Sequence, residues 1–254
     1  MNIAQKIEKQ IRKIKEGTTF KYQQLSIEPI EYSATAKAIE RFIEKGIIKR
    51  VSTGVFYKPK QTIFGELKPN EEELLKPYLF QNNKRIAYIT GISLYNRMGL
   101  TTQIPKNIKI ASRDKRITIS IGNIKGTPVK SYVDVTDKNF YLLELLDALK
   151  DFKKIPNLDK NSAIKVISNR LKELDTKEIK QIIKCALSYP PRVRGFLGAL
   201  LENNNSIIEL EILKKSLNPL SEYNYGINKK ILSTAPNWNI KWRYTKTKNC
   251  FKMQ

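Results

Sequence analysis

Between residues 34 and 59 the spacing of apolar side chains changes period at a single glycine, and few folds accommodate that change. Thr35, Ala36, Ile39, Phe42 and Ile43 recur at helical spacing, which predicts a helix over 34–45 with Ser33 as N-cap and Gly46 as its stop. Immediately after it, Ile47–Val51 reads as a strand, Ser52-Thr53-Gly54 as a turn and Val55–Pro59 as a returning strand. Upstream, Ile3, Ile7, Ile11 and Ile14 define an amphipathic helix over 2–16 that Gly17 closes as a C-cap, and Phe20–Leu25 reads as extended residues followed by a short helix. Helix, short helix, basic helix and hairpin in that order describe a winged helix-turn-helix on residues 1–60.

The composition gives such a domain a partner. Lys and Arg number 47 against 24 Asp and Glu, a formal net charge of +23, and so large a surplus attracts polyanions. On the second full helix, Ser33, Ala34, Lys37 and Arg41 lie opposite the inward stripe, with small residues near its start permitting close approach to a groove. The DNA-contacting set is therefore Ser33, Ala34, Thr35, Lys37 and Arg41 of the helix with Lys49, Arg50, Ser52, Thr53 and Lys58 of the wing, Thr35 also belonging to the inward stripe. The expected ligand is double-stranded DNA. A winged helix also serves as a protein-docking module, ranked second here because the outward face is basic.

Past residue 60 the chain changes character. Residues 61–83 read as a connector with a short acidic helix at Glu71, Glu72 and Glu73, whose carboxylates favour a helix start rather than a metal site. Residues 84–254 read as one α+β domain, a basic β unit over 84–135 followed by a mainly helical region over 138–254. The β unit is predicted to hold a helix before Leu100 and three strands, Ile108–Ala111, Arg116–Ile121 and Val129–Val133, the last two joined through Gly122-Asn123 and Lys125-Gly126. Within 84–130 the only acid is Asp114, against Lys84, Arg85, Arg97, Lys106, Lys109, Arg113, Lys115, Arg116, Lys125 and Lys130. Two readings fit this imbalance: a second basic surface facing a polyanion or acidic partner, or an ordinary half-exposed sheet. Apolar stripes at Leu142, Leu145, Leu146 and Leu149, at Ile164, Ile167, Leu171 and Leu174, and at Ile179, Ile182, Ile183, Ala186 and Leu187 predict successive helices. In the tail, Tyr223, Tyr225, Trp238, Trp242 and Tyr244 interleave with Lys241, Arg243, Lys246 and Lys248, either to cap the helical layer or to stack on bases.

Much chemistry is excluded. The sequence has no histidine, so no Ser/His or Cys/His relay exists. Cys185 lies in an apolar helical stretch, where a small buried side chain is expected, and with Cys250 it is too few to hold a metal. No glycine-rich phosphate loop occurs. Asp134 and Asp137 with Lys130 match no metal-nuclease spacing and read as a strand end and a helix N-cap. No catalytic residue, metal or cofactor is expected, and the chain reads as a non-enzyme. The amphipathic start and the lack of a bilayer-length apolar run predict a cytoplasmic protein with no membrane partner.

Four segments together resemble a known family. The winged helix ending Gly54-Val55-Phe56-Tyr57-Lys58-Pro59 comes first, then Thr90-Gly91-Ile92-Ser93-Leu94-Tyr95-Asn96-Arg97-Met98-Gly99-Leu100-Thr101-Thr102-Gln103-Ile104-Pro105. These, the basic β segment and the helix Pro190-Pro191-Arg192-Val193-Arg194-Gly195-Phe196-Leu197-Gly198-Ala199-Leu200-Leu201-Glu202 look like the AbiEi-type antitoxins. That resemblance implies a bacterial antitoxin of an abortive-infection, phage-defence system that counters a nucleotidyltransferase-like toxin. It also implies a transcriptional repressor whose winged helix binds inverted repeats in its own promoter. Two alternatives stand beside it: a winged-helix transcription factor with a ligand- or partner-sensing C-terminal domain, and a nucleic-acid-processing enzyme with a winged-helix targeting module.

Overall fold

In the computed structural model, which describes residues 2–63, 65–67, 69–204, 210–227 and 229–242, the chain is α+β and divides into two compact units. The first comprises Met1–Ala87 and Ile117–Gly126, the second Tyr88–Arg116 and Thr127–Gln254. Among the described residues no helix is long and apolar enough to cross a membrane.

The first unit begins with α1 (Ile3–Lys13), capped by the Asn2 side chain, with Ile7 and Ile11 buried as their spacing requires. The helix stops at Ile14, before Gly17. Gly17 therefore is not the C-cap: it turns the chain at a φ of 77°, and its N–H donates to the Lys58 carbonyl at 2.8 Å. β1 (Thr19–Lys21) follows, with a short 3-10 turn at Tyr22–Gln24. A second 3-10 turn at Pro29–Glu31 runs directly into α2 (Tyr32–Glu44). Ser33 consequently lies inside the helix rather than at its cap, because the φ fixed by Pro29 starts the turn earlier. Gly46, at a φ of 69°, ends the segment as expected. β2 (Lys49–Ser52) and β3 (Val55–Tyr57) form the hairpin, and β1 pairs with the other edge of β3 to give an antiparallel sheet of order β1-β3-β2. Ile7, Ile11, Phe20, Ala38, Ile39, Phe42, Ile48 and Phe56 make one core between α1, α2 and this sheet. That is a winged helix.

The 61–83 segment is folded too. β4 (Lys60–Thr62) and β5 (Gly65–Leu67) form a two-stranded ribbon. α3 (Glu71–Leu79), capped by Asn70, packs against β1, where the Thr19 hydroxyl donates to the Glu73 carbonyl at 2.6 Å. β6 (Phe80–Gln81) and β7 (Lys84–Arg85) are joined by Asn82 and Asn83, both at positive φ, the backbone twist a tight hairpin needs.

The second unit contains most of β8 (Ala87–Thr90), then α4 (Ile92–Arg97) and β9 (Ile108–Ser112). β10 (Ile119–Ile121) and β11 (Ile124–Lys130) complete the strands, with β9 between β8 and β11. The last strand is displaced from the expected Val129–Val133. Gly122 at a φ of 51° makes a two-residue turn with Asn123, so Ile121 faces Ile124 and Lys125-Gly126 lie in the strand. The division between the units passes through β11: the hairpin end Ile117–Gly126 belongs to the first unit, in which β10 lies against β2.

The helical stripes bury as their periodicity predicts in α5 (Phe140–Asp151), α6 (Lys160–Lys172) and α7 (Thr176–Ala186), with Leu174, Ile179 and Leu187 at the half-buried margins. The position ahead of α5 is taken by Asn139 rather than Asp137. Its side chain accepts from the Thr136 N–H at 2.8 Å and donates to the Asp134 carbonyl at 2.8 Å. Cys185 is a buried free thiol, its pKa raised by that burial. α8 (Pro191–Asn203) is followed by α9 (Glu211–Lys215), β12 (Tyr223–Asn224) and β13 (Ile240–Lys241), the last two paired in parallel.

The aromatic tail caps the helical layer as far as it is described. Trp238 is buried against Gly198 and donates its indole N–H to Glu202. Tyr225 stacks on Phe196, and Trp242 donates to the Leu232 carbonyl. Arg243, Tyr244, Lys246, Lys248 and Cys250 lie outside the described residues.

One carboxylate joins sheet to helices. Asp147 on α5, 2% exposed, accepts Tyr88 Oη at 2.9 Å and Thr90 Oγ1 at 2.7 Å from β8, Lys150 Nζ at 2.7 Å and, more distantly, Tyr189 Oη. Nearby, Tyr95 donates to Asp151 at 2.7 Å. Burial first, then the neighbouring carboxylate charges, hold the Tyr88, Tyr95 and Tyr189 hydroxyls far above their ordinary range.

Two outcomes follow from this packing. A Cβ at Gly198 would stand 2.2 Å from Trp238 Cζ3, so Gly198→Ala is expected to cost about 1–3 kcal/mol by overpacking, read as a Tm lowered by several degrees. Because unfolding releases tyrosines that ionise near their ordinary value of 10.0 while the folded chain keeps them protonated, stability is full below that pH and falls as pH rises above it. Urea titrations from neutral to alkaline pH, followed by tyrosinate absorbance, should show ionisation and unfolding together.

Candidate nucleic-acid interface

Successive residues of a helix turn by about 100°, so burying one face of α2 determines the other. Thr35, Ala38, Ile39 and Phe42 are buried; Ser33, Ala34, Ala36, Lys37, Glu40, Arg41 and Glu44 are exposed. Ala36 thus leaves the inward stripe and Ala38 takes its place. Thr35 is fully buried and drops out of the DNA-contacting set. Ser33, Ala34, Lys37 and Arg41 stay together on the outward arc, and the Lys37 and Arg41 side chains form no ion pair among the described residues. Glu40 and Glu44 share that arc, which is less purely basic than the lysine and arginine spacing alone suggests.

The wing residues are more engaged than their sequence shows. Lys49 pairs with Glu66 of β5 at 2.6 Å. Arg50 pairs with Glu40 and lies 6.0 Å from the Phe56 ring centre. Both cations remain about half exposed, at 47% and 50%, and exposed pairs of this kind are worth roughly 0–1 kcal/mol, so a phosphate competes for them on even terms. Ser52 Oγ is hydrogen-bonded to Tyr78 Oη at 2.6 Å, leaving Thr53 as the exposed side chain of the turn. Burial, reinforced by Glu66, pushes the Tyr57 hydroxyl up to about 12.

Lys58 is the clear correction. Its ammonium donates to the carbonyls of Arg12 at 3.1 Å and Ile14 at 3.0 Å, the open C-terminal end of α1. A cation there satisfies orphaned carbonyls and complements the helix dipole. Lys58 holds α1 to the sheet and does not face a phosphate backbone.

The ten cations expected as a second basic surface divide between the units. Lys84, Arg85 and Lys125 belong to the first; Arg97, Lys106, Lys109, Arg113, Lys115, Arg116 and Lys130 belong to the second. Several have local duties. Arg97 pairs with Glu144 at 2.5 Å, and Arg113 donates to the Ser131 carbonyl at 3.2 Å. Arg85 lies over the Phe80 ring. The aliphatic chain of Lys109 covers Gly91, where a Cβ would come within 2.9 Å of it. The Gly99–Gln103 stretch is a framed loop: Thr101 Oγ1 donates to the Pro156 carbonyl at 2.8 Å, and Asn96 Nδ2 donates to the carbonyls of Thr101 and Gln103. Asp134 and Asp137 are exposed, and among the described residues no cluster of three potential metal ligands exists.

The family model that matches this chain covers residues 6–179, from the first turns of α1 into α7. The chain belongs to the family of unknown function DUF6088. Its fold is similar to the crystal structure of the RV2827C protein from Mycobacterium tuberculosis, with a TM-score of 0.53 over 94% of this chain and 91% of that one, at 10% identity. No curated protein matches the sequence.

In this DUF6088 member, Glu40, Glu66 and Tyr78 are the partners that sequence reading missed. They reach the wing from α2, β5 and α3, and only the folded chain brings them there. Lys58 offers a direct check on its reassigned role: Lys58→Ala should lower the Tm by uncapping α1, at a cost of about 1 kcal/mol. Any DNA affinity of the folded protein should keep its salt dependence.

Proposed function

We propose that this DUF6088 protein binds duplex DNA through α2 and the β2–β3 wing, and that it is a non-enzymatic antitoxin and transcriptional autorepressor. Its functional counterpart is a nucleotidyltransferase-like toxin, and its DNA target is inverted repeats in its own promoter. The observation that carries the DNA reading is the outward arc of α2. Ser33 and Ala34 keep its N-terminal end slim, and Lys37 and Arg41 stand one turn apart without carboxylate partners. Thr53 and the weakly committed Lys49 and Arg50 flank it on the wing. The net charge of +23 supports the same ligand. The antitoxin role draws on the likeness of the winged helix, the Thr90–Pro105 segment, the basic β segment and the Pro190–Glu202 sequence to AbiEi-type antitoxins.

Binding to a duplex from upstream of its own gene should weaken steeply with salt. Lys37→Ala and Arg41→Ala should each weaken it further and reduce the slope of log affinity against log salt by about 1. Equal binding by wild type and both variants would refute the assignment of the contact face. Co-expression with the adjacent reading frame tests the antitoxin role, with growth restored only when this protein is present.

A further inference from the structure

Both cations of β2 meet a carboxylate brought from elsewhere in the first unit. Side chains alternate across a strand, so the neighbours Lys49 and Arg50 leave β2 on opposite faces. Lys49 stands across from Tyr57 of β3, and Glu66 of β5 clasps that pair: one carboxylate oxygen accepts Tyr57 Oη at 2.8 Å and the other meets Lys49 Nζ at 2.6 Å. Arg50 stands across from Phe56, and its guanidinium donates to Glu40 on the outward arc of α2. The Tyr22 hydroxyl registers the same carboxylate: burial raises its pKa first, the Glu40 charge adds to that, and Arg50 opposes it. By contrast Lys37 and Arg41, on the same arc as Glu40, form no ion pair among the described residues. With 47 Lys and Arg against 24 Asp and Glu, carboxylates are too few for the cations, yet each cation of β2 has one.

We propose that Glu40 and Glu66 are specificity-determining residues of the DNA interface: each stands in for a phosphate at the wing and so suppresses sequence-independent binding, leaving discrimination to α2. This rests on the DNA reading above. A net charge of +23 draws the chain to any duplex, and that is the binding such a device limits. Sequence-independent affinity comes essentially from phosphate neutralisation with counterion release, and phosphate contacts carry no sequence information. A wing cation already neutralised by a carboxylate releases one counterion fewer when the backbone arrives. Its carboxylate, brought against the polyanion, opposes the approach as a like charge. The α2 arc keeps Lys37 and Arg41 unpaired beside Ser33 and Ala34, so a matched site is met through groups that neither carboxylate holds. Lys49 and Arg50 stay about half exposed, at 47% and 50%, and pairs so exposed are weak, so the carboxylates temper the wing without closing it.

The test uses the full chain and two duplexes of equal length, one from upstream of its own gene and one of unrelated sequence, with affinity measured by fluorescence anisotropy at several salt concentrations. Glu40→Gln and Glu66→Gln are each expected to tighten binding to the unrelated duplex roughly fivefold at about 0.1 M salt and to steepen the slope of log affinity against log salt by about 1. Each should also narrow the preference for the promoter duplex. Adding Arg50→Gln to Glu40→Gln, or Lys49→Gln to Glu66→Gln, should return the slope to its wild-type value, a reversal that altered stability does not produce. Glutamine keeps an acceptor for Tyr57 Oη and for the Arg50 guanidinium, and melting curves verify that the variants fold. An unchanged slope or an unchanged preference overturns the role of the residue concerned, while weaker binding by Lys37→Ala leaves the α2 assignment standing. If the wild type binds neither duplex, or does not prefer its promoter, the DNA reading fails and this proposal with it.

Discussion

Everything in the first unit depends on which face of α2 is buried. Ile39 and Phe42 enter the same core as Ile7, Ile11, Phe20, Ile48 and Phe56, and each such side chain contributes about 1.5–3 kcal/mol by leaving water. With that face fixed, the helix has no freedom to rotate, and Ser33, Ala34, Lys37 and Arg41 are turned outward by geometry alone. Gly46 then reverses the chain so that Ile48 returns to the core and β2 begins at Lys49. Gly17 and Lys58 tie the end of α1 to the strand leaving the hairpin, one through a backbone bond and the other through its ammonium. The outward face of α2 and the scaffold are thus one packing solution.

The large positive charge is distributed by use rather than spread as a uniform coat. Lys6 is clasped to Glu31, and Arg97 to Glu144. Lys58 is turned onto carbonyls, whereas Lys37 and Arg41 are exposed and form no ion pair among the described residues. Lys150 is an extreme case. It sits beside buried Asp147 and 5.5 Å from the Tyr132 ring centre, in a network that also takes in Tyr88, Thr90 and Tyr189. A buried carboxylate with that many donors is tolerated because every lone pair has an occupant. Its position explains a tyrosine-rich core that hydrophobic patterning alone does not anticipate.

The sequence made the local structure legible. Isoleucine and leucine periodicity gave the helices and their buried stripes, and the change of period at Gly46 gave the winged helix, because those signals reside within a turn or two of chain. Boundaries drifted where a neighbour intervened: Pro29 advanced the start of α2 past Ser33, and Gly122 tightened a hairpin that shifted β11 by several residues. The candidate interface was legible on its helix and less so on its wing. Lys49, Arg50, Ser52 and Lys58 look alike as a run of polar side chains, and only partners from distant segments, Glu66, Glu40, Tyr78 and the end of α1, separate those open to a phosphate from those already committed. The grouping of Ile117–Gly126 with residues thirty or more positions earlier is likewise a tertiary fact with no local signal.

Amide hydrogen exchange of the full chain, with and without a duplex from upstream of its gene, tests the central claim most directly. The account predicts slowed exchange in the first half of α2, around Ser33–Lys37, and in the wing turn at Ser52–Gly54 when DNA is added. Unchanged exchange in both places, with protection confined to the second unit, would contradict it.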